Sequence, residues 1–336
     1  MSTFFVEYGL FVAKTLTLLL AAFMLLAMIA SFSKRGQSNE TLRVDNLNDK
    51  LRQMRERLAR AIAGTQDAKA LKKQQKAEAK AREKSPPQRA RTFVIDFKGD
   101  IKASAVEQLR QEVTAILAVA SDDDEVLVKL ENPGGVVHEH GLAAAQLTRI
   151  RERGLPLVVL VDKVAASGGY LMACVANEIV AAPFAIVGSI GVIAQLPNFN
   201  RALEQRGVDF EQITAGEHKR SVTMFGKNTD ADRAKLKQEL EDIHGLFKAA
   251  VSRYRPDLDL STVATGEHWY GTRALEMGLI DKLATSDEEL IARCENRDIF
   301  SITYEIKQPL PKKLLGAVDS ALERFAGRLQ NIWRGF

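Results

Sequence analysis

Residues 157–172 read LVVLVDKVAASGGYLM. The short apolar run Leu157–Val161 reads as a strand, and the chain then passes through Ala165-Ala166-Ser167-Gly168-Gly169-Tyr170 into a helix. The same texture surrounds this stretch. Apolar runs at Phe93–Phe97, Glu125–Leu130, Glu178–Ala182 and Val187–Ala194 alternate with helical stretches at Ala103–Ala120 and Glu139–Arg153. Strands separated by helices are βαβ units, so this part of the chain is predicted to be an α/β domain.

Ser167 is presented at the start of a helix, where free N–H groups and the positive end of the helix dipole favour an anion forming beside its hydroxyl. Gly168 and Gly169 remove side chains where a substrate backbone would approach. A second glycine pair follows the run Glu125–Leu130, in Asn132-Pro133-Gly134-Gly135. Pro133 sets the turn and Gly134 can offer an uncovered N–H, so Gly134 and Gly168 together would make an oxyanion hole for acyl transfer. Taken as structure alone, Ser167 is a helix cap and the glycine pair a tight turn.

A serine hydroxyl needs a base. Of five histidines, His138 and His140 lie just beyond the glycine turn, His218 adjoins Lys219, and His244 and His268 lie elsewhere. There is no G-x-S-x-G elbow followed by an ordered Asp and His. A lysine can serve when desolvation or a neighbouring cation lets it lose its proton near neutrality. Composition does not say which lysine.

The 336 residues allow one large domain or two ordinary ones. Hydrophobic residues form 46% and charged residues 27%, as in a globular protein, and the net charge of +4 argues for no nucleic acid partner. Cys174 and Cys294 allow at most one disulfide, and no Cys/His cluster has metal-ligand spacing. Thr15–Phe32, TLTLLLAAFMLLAMIASF, carries no charge and is about as long as the ~18 residues that suggest a membrane span. No A-x-A-like site follows it, so a retained anchor is expected rather than a cleaved signal. Lys34, Arg35, Arg43, Lys50 and Arg52 follow it, which by the positive-inside rule puts the C-terminal side in the cytoplasm; large domains escape that rule, and the side stays open.

Leu47, Leu51, Met54, Leu58 and Ile62 line one stripe of a helix that needs a partner surface. Residues 66–91, rich in Lys, Ala, Gln and Glu, read as a basic tether. Residues 231–253 and 314–333 read as two further amphipathic helices. The expected organisation is an anchor at 1–35, the stripe helix and basic linker at 36–91, a catalytic domain at 92–292 and an extension at 293–336.

Five segments resemble, in the family's order, the signal peptide peptidase A family, serine peptidase family S49. They are AASGGY around Ser167, the Pro133–Gly135 turn, Gly188-Ser189-Ile190-Gly191-Val192, Gly216–Lys219 (GEHK) and Thr265–Asp281 (TGEHWYGTRALEMGLID). The likeness spans about residues 92–292 and is nearest the inner-membrane protease branch. It implies a ClpP/crotonase-like domain of repeated βα units behind an N-terminal transmembrane helix. It makes Ser167 the nucleophile, Lys219 the base and Ser189 the hydroxyl that holds the lysine amine. Gly134 and Gly168 become the oxyanion donors, with Gly135 in the substrate-binding turn. The Thr265–Asp281 stretch falls to a structural end of the domain.

The family acts on peptides in or near the membrane and assembles into rings, so peptide or protein substrates, membrane lipid and a homo-oligomer are the expected partners, in the bacterial inner membrane. No metal and no organic cofactor is required. One departure is Asn132, where many members carry serine before the glycine turn. Two other readings share the fold: a crotonase-like acyl-CoA enzyme, disfavoured by the Ser167, Ser189 and Lys219 set, and an inactive membrane scaffold.

Overall fold

The computed structural model describes residues 7–20, 23, 40–63, 89–216, 219 and 222–306. Leu42–Tyr304 forms one compact unit, and a second takes in Met1–Thr41 with Glu305–Phe336. In the second unit residues 7–20 are helical. Most of the expected anchor Thr15–Phe32, the tether and the helix at 314–333 lie outside the described residues; among those described, no helix is long and apolar enough to cross a membrane.

In chain order the strands are β1 (Glu40–Asn46), β2 (Arg91–Lys98), β3 (Glu125–Glu131), β4 (Leu157–Val161), β5 (Val164–Ala166), β6 (Glu178–Ala181), β7 (Ile186–Gly188), β8 (His268–Tyr270), β9 (Lys282–Leu283) and β10 (Asp298–Ile306). The helices are α1 (Leu47–Ile62), α2 (Val106–Val119), α3 (Val137–Glu152), α4 (Gly168–Ala173), α5 (Asn200–Glu204), α6 (Asp230–Tyr254), α7 (Leu260–Val263), α8 (Gly271–Glu276) and α9 (Ser286–Cys294). Seven strands form one sheet in the order β1-β10-β2-β3-β4-β6-β9, with parallel pairing from β10 through β9. The other three form a small sheet, β5-β7-β8.

A parallel sheet is covered on both faces, so its central strands carry near-continuous apolar runs, and all five residues of β4 are buried. Ile95, Val128 and Val159 meet Leu109, Val113 and Ile116 of α2 and Leu147 and Ile150 of α3 in the larger core. On the opposite face Val94, Leu127, Val158 and Leu160 pack with Leu47 of α1 and with Leu290 and Cys294 of α9. The layers are therefore helix, sheet, helix, an α/β architecture as expected. The sheet extends past 92–292 at both ends, since β1 and β10 join it.

Two boundaries differ from the sequence expectation. The strand expected at Val187–Ala194 ends at Gly188, because Gly188 (φ 96°) and Ser189 (φ 53°) turn the chain out of extended geometry. The helix expected from Ala103 starts at Val106, since Ala103 itself has φ 45°. Both cysteines are free thiols. Cys174 is buried, and burial pushes its thiol up to about 12, so it is no nucleophile near neutrality.

Charge fixes two places in the framework. Burial raises the Asp124 carboxyl, but hydrogen bonds from the Arg91 guanidinium and from Ser121 outweigh it and bring it to about 2, pinning the start of β2. Glu112 on α2 is buried and accepts the Tyr304 N–H at 2.8 Å. Burial, with a smaller push from Asp96 and against that hydrogen bond, raises the Glu112 carboxyl from 4.5 to about 7.

Between those values the folded chain holds a proton that the unfolded chain has lost, so stability falls as pH rises from about 4.5 through about 7. Glu112→Gln keeps an oxygen for Tyr304 without the charge. The variant is expected to gain on the order of 2 kcal/mol over the parent at pH 8 and little at pH 4.5 in urea unfolding. An equal difference at both pH values would contradict the assignment.

Candidate active site

β5 runs parallel to β7, and its register sets Ala166 opposite Gly188. The next residues on the two strands, Ser167 and Ser189, therefore stand side by side, each leaving its strand with a positive φ, 51° and 53°. For Ser167 (ψ −118°) this is a conformation that only glycine adopts freely, at a cost of order 1–3 kcal/mol. It is held from all sides. The Ser167 N–H donates to Gly188 O at 2.8 Å, and Ser167 O accepts from Leu171 N–H in α4 at 3.0 Å. One residue earlier, Ala166 N–H donates to Asn132 O at 3.0 Å, and Asn132 N–H to Val164 O at 2.8 Å. Strain fixed by the surrounding structure at a half-buried serine is a feature of nucleophile turns.

The glycine turn lies against that serine. A Cβ on Gly134 would come 2.8 Å from Ser167 Cβ, 2.9 Å from Gly168 N and 2.7 Å from Ala166 O, and its φ of 89° also suits glycine. Any side chain there would push the turn off Ser167. A Cβ on Gly168 would strike the His140 ring, so α4 can start here only with glycine. Gly168 N–H has no hydrogen-bond partner among the described residues and opens beside the serine. Gly134 N–H is engaged: it donates to Asn132 Oδ1 at 2.9 Å. Gly135 is exposed at the outer edge of the turn.

Asn132 and His140 form a fully buried pair behind this surface. Asn132 Oδ1 takes the Gly134 N–H and faces His140 Nε2 at 3.1 Å, while its Nδ2 donates to Met172 Sδ at 3.2 Å. Oδ1 only accepts, as does the carbonyl facing the other ring nitrogen, so the tautomer of His140 sets which of the two oxygens its N–H reaches. His140 Nδ1 lies 2.9 Å from Val136 O. Both ring nitrogens of His140 are thus turned to these partners, and no hydrogen bond joins them to Ser167. His138 is 82% exposed and 3.8 Å from Glu139. Among the described residues no hydrogen bond joins a histidine to Ser167.

The lysines divide as plainly. Lys163, four residues before Ser167, is paired with both oxygens of Glu131 at 3.0 and 3.1 Å. Lys219 is exposed on the segment between α5 and α6, its N–H donating to Gly216 O at 3.2 Å. Ser189 Oγ donates to Gly266 O at 3.5 Å and its N–H to Glu267 O at 2.6 Å. Among the described residues no hydrogen bond joins Ser167 Oγ, Ser189 Oγ and Lys219 Nζ. The fold therefore brings together Ser167, Ser189, Gly134 and Gly168, and leaves Lys219 out on its segment.

The Thr265–Asp281 stretch supplies β8 and α8. Its Asp281 takes a bidentate Arg255 at 2.7 and 2.8 Å and the Ile179 N–H at 2.7 Å, a structural clasp on β6. Sequence reasoning missed the Asn132–His140 pair. Its one signal was Asn132 standing where serine is usual; the pairing with a histidine eight residues on was not visible.

Known proteins match along nearly the whole chain. The family model described as "Peptidase family S49 N-terminal" matches residues 3–147, and "Peptidase family S49" matches residues 149–298. The two meet inside α3, so Asn132 and Gly134 come from the first and Ser167 from the second. A Haemophilus influenzae protein described as "Probable protease SohB" is 44% identical over 91% of this chain and 90% of its own length. A Buchnera aphidicola protein of the same description is 51% identical over 68% of each. Among solved structures, a variant of the 1510-N membrane-bound stomatin-specific protease with a substrate peptide aligns over 69% of this chain and 99% of its own. That alignment has 15% identity and a TM-score of 0.39.

Proposed function

The chain belongs to peptidase family S49 and is a serine peptidase, and we propose that Ser167 is its nucleophile and Lys219 its general base. The observation that carries the reading is the strained Ser167 with the glycine turn packed on it and the free Gly168 N–H beside it. In this reading Lys219 reaches the Ser167 hydroxyl when a peptide is bound. Lys219 Nζ, as the neutral amine, takes the Ser167 Oγ proton while Oγ attacks the scissile carbonyl carbon. The carbonyl oxygen becomes an anion bound by Gly168 N–H and Gly134 N–H. The C–N bond then breaks, the leaving amine takes the proton from Lys219, and water hydrolyses the acyl-serine by the same route. Ser189 holds the lysine amine, and Gly135 lines the peptide. No step calls for a cofactor.

The same reading gives the domain a ClpP/crotonase-like descent, a membrane anchor at residues 15–32 in the bacterial inner membrane, membrane-associated peptides as substrates and a homo-oligomeric assembly. Support for the anchor is the uncharged run itself.

Titration with a serine-directed phosphonate tests the reading. One equivalent per chain is expected to stop peptide cleavage. Full turnover after complete modification would overturn it, and an unreactive chain that cleaves nothing would favour the scaffold.

Gly134 N–H must exchange Asn132 Oδ1 for the anion. Asn132→Asp keeps the shape but puts a carboxylate on that N–H and a negative charge near the forming anion. The expected result is a kcat lower by about 10²–10³, as for loss of one oxyanion donor, with KM nearly unchanged. Wild-type kcat in a folded Asn132→Asp chain would remove Gly134 from the oxyanion hole.

A further inference from the structure

The stripe on α1 starts against the fold, with Leu47 and Leu51 half-buried, and runs out exposed over the rest of the helix. The helix is fastened by its first turn: Leu47 packs on the smaller core, and Asn48 donates to Arg297 O at 2.9 Å and accepts the Ile299 N–H at 2.7 Å. Beyond that turn Met54, Leu58 and Ile62, one face at helical spacing, are 59%, 63% and 77% exposed. The helix carries five basic side chains against two acidic ones. At 3.6 residues per turn Arg55 flanks the stripe on one side and Lys50 and Arg57 flank it on the other. Low overall hydrophobicity, a sharp apolar stripe and basic flanks are the marks of a helix lying in a bilayer interface, with its apolar face among acyl chains and its cations at anionic headgroups. A face buried against a second copy of the chain would set these like-charged flanks against each other. Only fourteen residues separate the end of the uncharged run Thr15–Phe32 from Leu47, and Lys34 and Arg35 are among them.

We propose that α1 docks on an anionic lipid surface through Met54, Leu58 and Ile62, with Lys50, Arg55 and Arg57 at the headgroups. The catalytic unit is then held against the bilayer by its own helix, near membrane-borne peptides. This goes beyond the anchor reading and draws on it for the nearness of the membrane.

The test is nitroxide labelling of the full chain in a Cys294→Ser background, Cys174 being buried. Single cysteines are placed at Met54, Leu58 and Ile62, at Gln53 and Arg60 on the opposite face, and at Leu19 as a separate report on the anchor. In phosphatidylglycerol/phosphatidylcholine vesicles, oxygen is expected to relax the labels at 54, 58 and 62 several-fold more than at 53 and 60, with the order reversed for an aqueous nickel chelate. In phosphatidylcholine alone, or at 1 M salt, that contrast is expected to collapse.

Labels at 54, 58 and 62 that favour the chelate in anionic vesicles would overturn the proposal. So would spin–spin broadening at these sites that vanishes on dilution with unlabelled chain, which would seat a second copy there. A membrane-immersed Leu19 with an aqueous stripe refutes the docking alone, and an aqueous Leu19 with an immersed stripe refutes the anchor alone.

Discussion

Replacing Ser167 with alanine is expected to abolish peptide hydrolysis, by up to about 10⁶ in kcat, without unfolding the chain. Only the nucleophile is lost. Ser167 Oγ has no hydrogen-bond partner among the described residues, and the bonds that hold the residue, to Gly188 O and from Leu171 N–H, are backbone bonds that alanine keeps. Alanine inherits the φ of 51°, so the strain stays. Ser167→Gly separates the two roles: it relieves that strain and is expected to stabilise the chain by about 1 kcal/mol while being just as inactive. An active site that holds strain for its geometry behaves in this way. Undiminished cleavage by Ser167→Ala in a purified preparation would remove it from the mechanism.

Lys219→Arg is expected to be nearly as damaging as Lys219→Ala, with turnover down by about 10⁴ or more in each. Arginine keeps the positive charge and the long side chain, so a lysine acting only as an electrostatic contact would be replaced with little loss. A guanidinium stays protonated and cannot take the Ser167 proton. Lys219 is exposed on its segment, so neither change should disturb the core, and unfolding midpoints should match the parent. Ser189→Ala is expected to fall less far, since it supports the amine without taking the proton. Near-normal turnover in Lys219→Arg would show that the base is another group.

Much of the fold was readable because a parallel sheet writes itself as apolar runs. Leu157–Val161, Phe93–Phe97 and Glu125–Leu130 are each strands within a residue or two of where they were expected. The edges were not readable. Asp298–Ile306 enters the sheet between β1 and β2, some two hundred residues from β2 in sequence, and no local pattern announces a partner so distant. The early end of β7 follows from backbone angles at Gly188 and Ser189, which residue identity only hints at.

At the site, glycine carried the information. Gly134 and Gly168 stand where a Cβ would collide with Ser167 or His140, so their closeness to the serine was encoded as missing side chains. Asn132 and His140 left no such trace: a buried Asn–His hydrogen bond needs three-dimensional closure to be seen. Lys219 is different again. Nothing in its composition or spacing distinguishes it from other surface lysines, and its assignment rests on family likeness.

The dyad is tested most directly by mapping where a fluorophosphonate reacts, and how fast, in the parent, Lys219→Arg and Lys219→Ala under one set of conditions. An adduct on Ser167 is expected in the parent, with a labelling rate that falls together with peptide turnover in both variants while the unfolding midpoint stays put. An adduct on another residue, or Ser167 labelled at the parental rate in Lys219→Arg, would contradict it.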